Sequence, residues 1–312
     1  MAAAVEALAR TGDPLDAVEA GIMVVESDPS VRSVGLGGAP NLLGEMECDA
    51  AIMCGASLKA GAVGGLKHYM HAISVARQVM ERTPHVMIVG EGAERFAREI
   101  GAERGKMLSR EAKADYEKWL RAHVPEKVRS RLARAELIPL VRPPGGRGVG
   151  RVRRACARGA ARQAAHNTVD FIVRTAEGKM AVGISTSGWA YKYPGRMSDS
   201  GIIGAGLYCD DRYGAAACTH TGEMIIRAGV ARAVVAYMKR GASASAACHE
   251  AFDDLGGLKG GFLGPVIIHA LDRKGTPYVL TTGNDGGIPY WVWREGEAEP
   301  RCLKPEKIGD TH

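Results

Sequence analysis

No stretch of this 312-residue chain approaches the roughly 18 apolar residues that a membrane-spanning helix requires, so no membrane partner is expected. Cys-x-x-Cys spacing is absent too. Seven cysteines, an odd number, read as mostly buried thiols in a reducing compartment rather than a disulfide framework. Residues 1–10 read as an amphipathic helix rather than a secretory signal, and the expected location is cytoplasmic. There is no Gly-Lys-Ser/Thr phosphate loop. Gly35-Leu36-Gly37-Gly38 lacks the preceding strand and the downstream acid of a dinucleotide fingerprint. His68 and His71 share a helical face with no acid or cysteine nearby, which reads as a surface pair. Cys209-Asp210-Asp211 is too short a cluster to make a cation site. Neither a metal nor an organic cofactor is expected. Aromatic residues are only 5%, whereas 41 glycines point to many tight turns and close backbone approaches.

What is present is an ordinary globular composition, 46% hydrophobic and 24% charged. The net charge of +6 is local. Seven arginines and no acid lie between Arg142 and Arg162, and the remainder is close to neutral. Such a run could contact phosphates. It has no interleaved aromatics for base stacking, and Pro143-Pro144-Gly145-Gly146 suits a solvated linker better than a recognition element, so no nucleic-acid partner is expected.

The first half reads as helix-rich. Helices are expected over residues 2–10 and 14–26, with Asp13 capping and Pro14 at the first helical position. A strand over 48–54, a helix over 68–82, a buried strand over 86–89 and helices over 91–100, 109–122 and 127–135 follow. After the basic stretch the pattern turns abruptly to β. Strands over 168–175 and 179–186 form a hairpin around Ala176-Glu177-Gly178. Further strands are expected over 214–219, 262–271, 278–282 and 290–293, with helices over 222–240 and 243–255. Hairpin sheets flanked by helices predict an α/β layered protein.

Thr168 stands at the seam between linker and strand. Cleavage before it would free an α-amine beside its own hydroxyl, so that one residue supplies nucleophile and base. In order around it come His166-Asn167-Thr168, Ser185-Thr186-Ser187-Gly188, Pro194-Gly195-Arg196-Met197-Ser198-Asp199-Ser200, Gly204-Ala205-Gly206 and Cys218-Thr219-His220-Thr221-Gly222-Glu223. Leu15-Asp16-Ala17-Val18-Glu19, Ser33-Val34-Gly35-Leu36-Gly37-Gly38, Asp49-Ala50-Ala51-Ile52-Met53 and Gly61-Ala62-Val63-Gly64 precede them. Together these blocks resemble the glycosylasparaginase branch of the threonine-nucleophile asparaginase and isoaspartyl-peptidase family.

The resemblance implies the four-layer αββα sandwich of N-terminal-nucleophile hydrolases. Residues 1–167 would form the α-subunit part, with a basic linker at about 137–167, and residues 168–312 the β-subunit part. Self-cleavage between Asn167 and Thr168 would give an αβ heterodimer, assembled as a dimer of heterodimers. Thr168 would be the nucleophile and Thr186 its hydroxyl neighbour. Arg196 and Asp199, with Thr219 and Gly222, would bind the amino-acid end, and Thr219 with the His220 amide would form the oxyanion hole. The substrate would be a small asparagine-derived β-amide, with N-acetylglucosaminylamine favoured as the leaving group. Ammonia or an isoaspartyl peptide amine is the alternative, as is an unprocessed, inactive relative. Asn167 replaces the family's usual aspartate and predicts slower maturation. His220, Asp170 and Ser198 replace usual glycines. The family's strand before the first helix is missing here.

Overall fold

The computed structural model describes residues 1–141, 168–282 and 288–309. Helix α1 (Ala2–Thr11) stops at Gly12, whose φ of +69° only glycine adopts readily. The Asp13 side chain accepts from Leu15 N, and Pro14 opens α2 (Pro14–Ser27), as the sequence predicts. Strand β1 (Cys48–Cys54) pairs antiparallel with β2 (Ala60–Leu66). Helices α3 (Ala72–Arg82) and α4 (Gly90–Glu99) flank β3 (Met87–Val89), which runs parallel to β2. Then come α5 (Arg110–His123), α6 (Glu126–Arg129) and α7 (Ile138–Val141).

Beyond the linker, β4 (Val169–Arg174) and β5 (Met180–Thr186) form the expected hairpin, with Gly178 at φ +88° in its turn. Strand β5 also pairs with β1, Asp49 opposite Thr186, so the first sheet runs β3-β2-β1-β5-β4. Segments on either side of the basic linker therefore share one hydrogen-bonded sheet. The second sheet, in the order β12-β9-β8-β7-β6, comprises β6 (Leu207–Asp210), β7 (Gly214–His220), β8 (Val266–Asp272), β9 (Pro277–Thr282) and β12 (Glu306–Ile308). Helices α8 (Gly222–Ala228), α9 (Val230–Lys239) and α10 (Ala244–Gly256) lie between β7 and β8 in the chain. A two-stranded ribbon, β10 (Tyr290–Val292) with β11 (Arg301–Leu303), completes the elements.

Apolar burial explains how these elements stack. Val18, Ile22, Ile52, Val63 and Ile73 form one cluster where α2 and α3 meet the first sheet. Val234, Val235, Cys218 and Ile268 form another where α9 meets the second. A third cluster draws on both sheets: Ala51, Met53, Val182 and Ile184 from the first, Leu207, Ala215 and Ala217 from the second. Many of these residues are alanines, which lets the strand faces approach closely. Strands β5 and β7 are buried on both faces, so they carry no polar alternation. Among the described residues no helix is long and apolar enough to cross a membrane.

Several expectations need correction. The helix foreseen from residue 68 begins at Ala72. His68 has φ +68° and His71 is the N-cap, so the two do not share a helical face. Nor is His71 a surface residue: its Nδ1 lies 3.5 Å from Oε2 of the fully buried Glu26. The apolar run at 86–89 is an exposed edge, with Val86 and Val89 each 50% accessible. The helix foreseen over 222–240 breaks at Gly229, φ +60°. The one foreseen over 127–135 splits into α6 and a 3-10 turn at Leu132–Arg134.

Candidate active site

The hairpin register fixes the first pair of groups. Val169 stands opposite Ser185, which brings the start of β4 beside the end of β5. Thr168 Oγ1 donates to Thr186 Oγ1 at 3.3 Å, and Thr186 Oγ1 also accepts from Gly188 N at 2.9 Å. Thr168 is half-buried and Thr186 is buried. Directly across β1, the buried Asp49 accepts from Gly65 N and from Ser198 N, each at 2.8 Å. That carboxylate fastens the loop carrying Arg196 and Asp199 to the sheet, and sequence reasoning assigned it no role.

The loop from Ser187 to Arg196 is braced from outside. Tyr191 N donates to Pro40 O at 2.8 Å, and its ring stacks on Trp119 of α5 with centroids 4.2 Å apart. At the loop's end the Arg196 guanidinium lies 5.0 Å above the Trp189 ring. Arg196 does not pair with Asp199. Its Nε and Nη2 bond Glu223 Oε1 at 3.0 and 2.8 Å. Glu223 directly follows Gly222 in the quoted block, but its partner is 27 residues distant, which no local pattern reveals.

Among the described residues, Arg196 Nη1 and Asp199 Oδ2 in this cluster are buried without a hydrogen-bond partner, as is Ser200 Oγ beside them. Burial pushes the Asp199 carboxyl up to about 7, against the opposing pull of Arg196. Buried polar atoms are nearly always satisfied. A donor and an acceptor left open three residues apart are what a ligand with an anionic and a cationic end would fill.

Gly222 lies against the same pair. A Cβ there would stand 2.6 Å from Asp199 Oδ1 and 3.1 Å from Arg196 Nη2. Gly222→Ala should therefore fold, since α8 has its first residue there. It should displace both charged groups and raise KM about tenfold or more with a smaller change in kcat, as steady-state kinetics would measure. An unchanged KM would remove Gly222 from the site.

Thr219 and His220 end β7. His220 adopts φ +87°, in the region that favours glycine, at a cost of about 1–3 kcal/mol. Its carbonyl accepts from Trp189 Nε1 at 3.4 Å, and its Nδ1 lies 3.2 Å from Thr219 Oγ1. The side chain thus folds back on Thr219. The glycine that the family resemblance implies at 220 would hold this backbone shape without strain.

The remaining sequence candidates separate from this cluster. Asn167 lies outside the described residues, as does most of the basic linker. Asp210 is held by Arg212 at 2.7 Å and Asp211 accepts from Met180 N at 2.9 Å, so both acids already have partners. Glu26 accepts from Ser185 Oγ at 2.6 Å and Ile73 N at 3.2 Å; burial nevertheless holds its carboxyl above the usual range. The Glu26 carboxylate, 3.5 Å from His71 Nδ1, raises that imidazole in turn. Two shallow hollows of about 230 and 460 Å³ lie elsewhere, one beside Cys54 and Lys59, the other beside Arg174 and Arg273. Neither contains the open charged atoms.

A family model described as Asparaginase matches residues 1–285. An N(4)-(β-N-acetylglucosaminyl)-L-asparaginase from Elizabethkingia miricola is 37% identical over 246 residues, 79% of this chain and 63% of that protein. Proteins of the same name from Rattus norvegicus and Mus musculus are each 34% identical, over 82% of this chain and 74% of theirs. The chain thus spans somewhat less than two thirds of the bacterial relative and about three quarters of the mammalian ones. Set beside the ordered blocks around Thr168, these matches establish that the chain belongs to the asparaginase family.

Proposed function

We propose that the chain is a self-activating threonine amidohydrolase that cleaves the β-amide of L-asparagine derivatives, N4-(β-N-acetylglucosaminyl)-L-asparagine first among them. The observation that carries this is the buried, open pair Arg196 Nη1 and Asp199 Oδ2. It suits the carboxylate and ammonium of an α-amino acid, and backbone ties through Gly188 link its loop to the Thr168–Thr186 hydroxyl pair.

In this reading Thr168 Oγ first attacks the carbonyl of Asn167. The peptide nitrogen leaves as the Thr168 α-amine, and water opens the resulting ester. The two segments stay together because β1 and β5 are paired. The product is an αβ heterodimer, two of which would associate, within a four-layer αββα sandwich of the N-terminal-nucleophile type. The freed α-amine, with an ordinary pKa of about 7.7–8, takes the hydroxyl proton as Thr168 attacks the substrate's side-chain carbonyl. Thr219 and the His220 N–H hold the oxyanion. The α-ammonium passes its proton to the leaving amine, an aspartyl ester forms on Thr168, and water releases aspartate.

Incubating the protein and following its intact mass tests the first step; measuring aspartate released from the glycosylated asparagine tests the second. Fragments meeting at Asn167/Thr168 and stoichiometric aspartate are the expected results. A chain that remains whole and releases no aspartate would refute the reading. Faster release from a β-aspartyl dipeptide would assign the leaving group differently.

A further inference from the structure

We propose that Lys192 is the second cation of the α-carboxylate subsite, so that the acid end of the substrate lies between the Lys192 ammonium and Nη1 of Arg196. This rests on the amino-acid reading of the site and adds a residue to it.

Lys192 is 4% exposed. Its Nζ donates to Glu47 O at 3.1 Å, which accounts for one of three protons. Among the described residues no carboxylate lies within 4.0 Å of it. The nearby Glu47 carboxylate instead accepts from Gly195 N at 3.0 Å and approaches Lys67 at 3.9 Å. A buried ammonium without a counter-ion is costly unless an anion arrives.

Position tells the same story. Gly188 has φ +71°, and a Cβ built on it would stand 3.0 Å from Lys192 Nζ and 3.3 Å from Arg196 Nη1. Both cationic groups therefore border one bare spot of backbone, next to the Gly188 N–H that bonds Thr186. Arg196 cannot offer its Nε–Nη2 edge there, because Glu223 fills that edge. A carboxylate reaching Nη1 needs a second donor, and Lys192 stands on that side. The same spot requires glycine, since any Cβ would occupy the carboxylate's place.

The test pairs two substrates, an N4-substituted asparagine with a free α-carboxylate and its α-carboxamide, on the full-length, matured protein. Lys192→Met should raise KM for the acid by about 10- to 100-fold, change kcat little, and affect the carboxamide's KM far less, since its neutral carbonyl accepts only an ordinary hydrogen bond. Lys192→Arg should recover most of the loss, which a merely structural role would not predict for the acid alone. Equal losses on both substrates, or none on the acid, would overturn the assignment. Should Lys192→Met fail to fold or mature, the wild-type protein soaked with L-aspartate decides by crystallography. A carboxylate oxygen within hydrogen-bond distance of Lys192 Nζ supports the proposal, and a ligand seated away from Lys192 overturns it. A wild type that neither hydrolyses the conjugate nor binds aspartate would overturn the amidohydrolase reading and this proposal together. Binding without Lys192 contact would overturn only the latter.

Discussion

Thr168→Val should remain one polypeptide of 33.0 kDa on prolonged incubation and should lose asparagine-conjugate hydrolysis by at least about 10⁴-fold. The substitution exchanges a hydroxyl for a methyl at nearly constant volume. Valine is favoured in a strand, and Thr168 is half-buried immediately before β4, so the fold should tolerate it. The structural cost is the 3.3 Å contact with Thr186, a single hydrogen bond of about 1 kcal/mol. That is far too little to explain the expected kinetic loss, so loss of activity with an unchanged melting temperature would be a chemical result. Thr168→Ser retains both hydroxyl and latent amine and should mature and turn over, with a more mobile oxygen and a lower kcat. Intact mass spectrometry and initial rates on the three proteins separate the outcomes. If the valine protein still splits at 167/168, or still releases aspartate, the nucleophile lies elsewhere.

How much of this was legible in the residues depends on whether the determining contact is local. The β4–β5 hairpin announces itself: Val169, Phe171 and Val173 face the helices while Ile172 faces the other sheet, and Gly178 permits the turn. Asp13-Pro14 marks the start of α2 for equally local reasons. Strand β2 is different. Gly61, Gly64 and Gly65 make it look like a loop, yet Gly61 is bare because α3 crosses it, with Met80 N only 2.7 Å from the place of a Cβ. The β3 run misleads in the opposite sense, since an apolar stretch reads as buried whether or not anything covers it. In the site, the hydroxyl pair follows from hairpin register and was legible. The family resemblance pointed to Arg196 and Asp199 together with the roles proposed for them. Glu223, Lys192 and Asp49 were missed because each acts through a partner far along the chain: Glu223 on Arg196, Lys192 on the Glu47 carbonyl, Asp49 on Ser198 N.

The pH response of Asp199→Asn carries the second large expected effect. In the ligand-free protein burial holds the Asp199 carboxyl up to about 7, although Arg196 pulls it down. A substrate ammonium needs the carboxylate. Below about pH 7 a proton must first leave, and KM for the conjugate should rise about tenfold for each pH unit. The amide of the variant cannot ionise, so its KM should be high and flat from pH 5 to about pH 8. The α-amine that cleavage would free at Thr168 would titrate near the same range, so the difference between variant and wild type isolates Asp199 where either profile alone would not. Stability supplies an independent check of the same ionisation. A carboxyl raised on folding means that the native state binds more protons than the unfolded state between the ordinary value of 3.8 and about 7. Its stabilising contribution is complete below 3.8 and is lost as pH rises through about 7. Relative to wild type, Asp199→Asn should thus gain stability progressively across that window, by up to about 4 kcal/mol at pH 8, while losing substrate affinity. Urea unfolding at pH 4, 6 and 8 measures the first, and KM over the same interval the second. A stability difference independent of pH would mean that Asp199 ionises normally, and the ammonium subsite would then lose the open, buried carboxyl on which it depends.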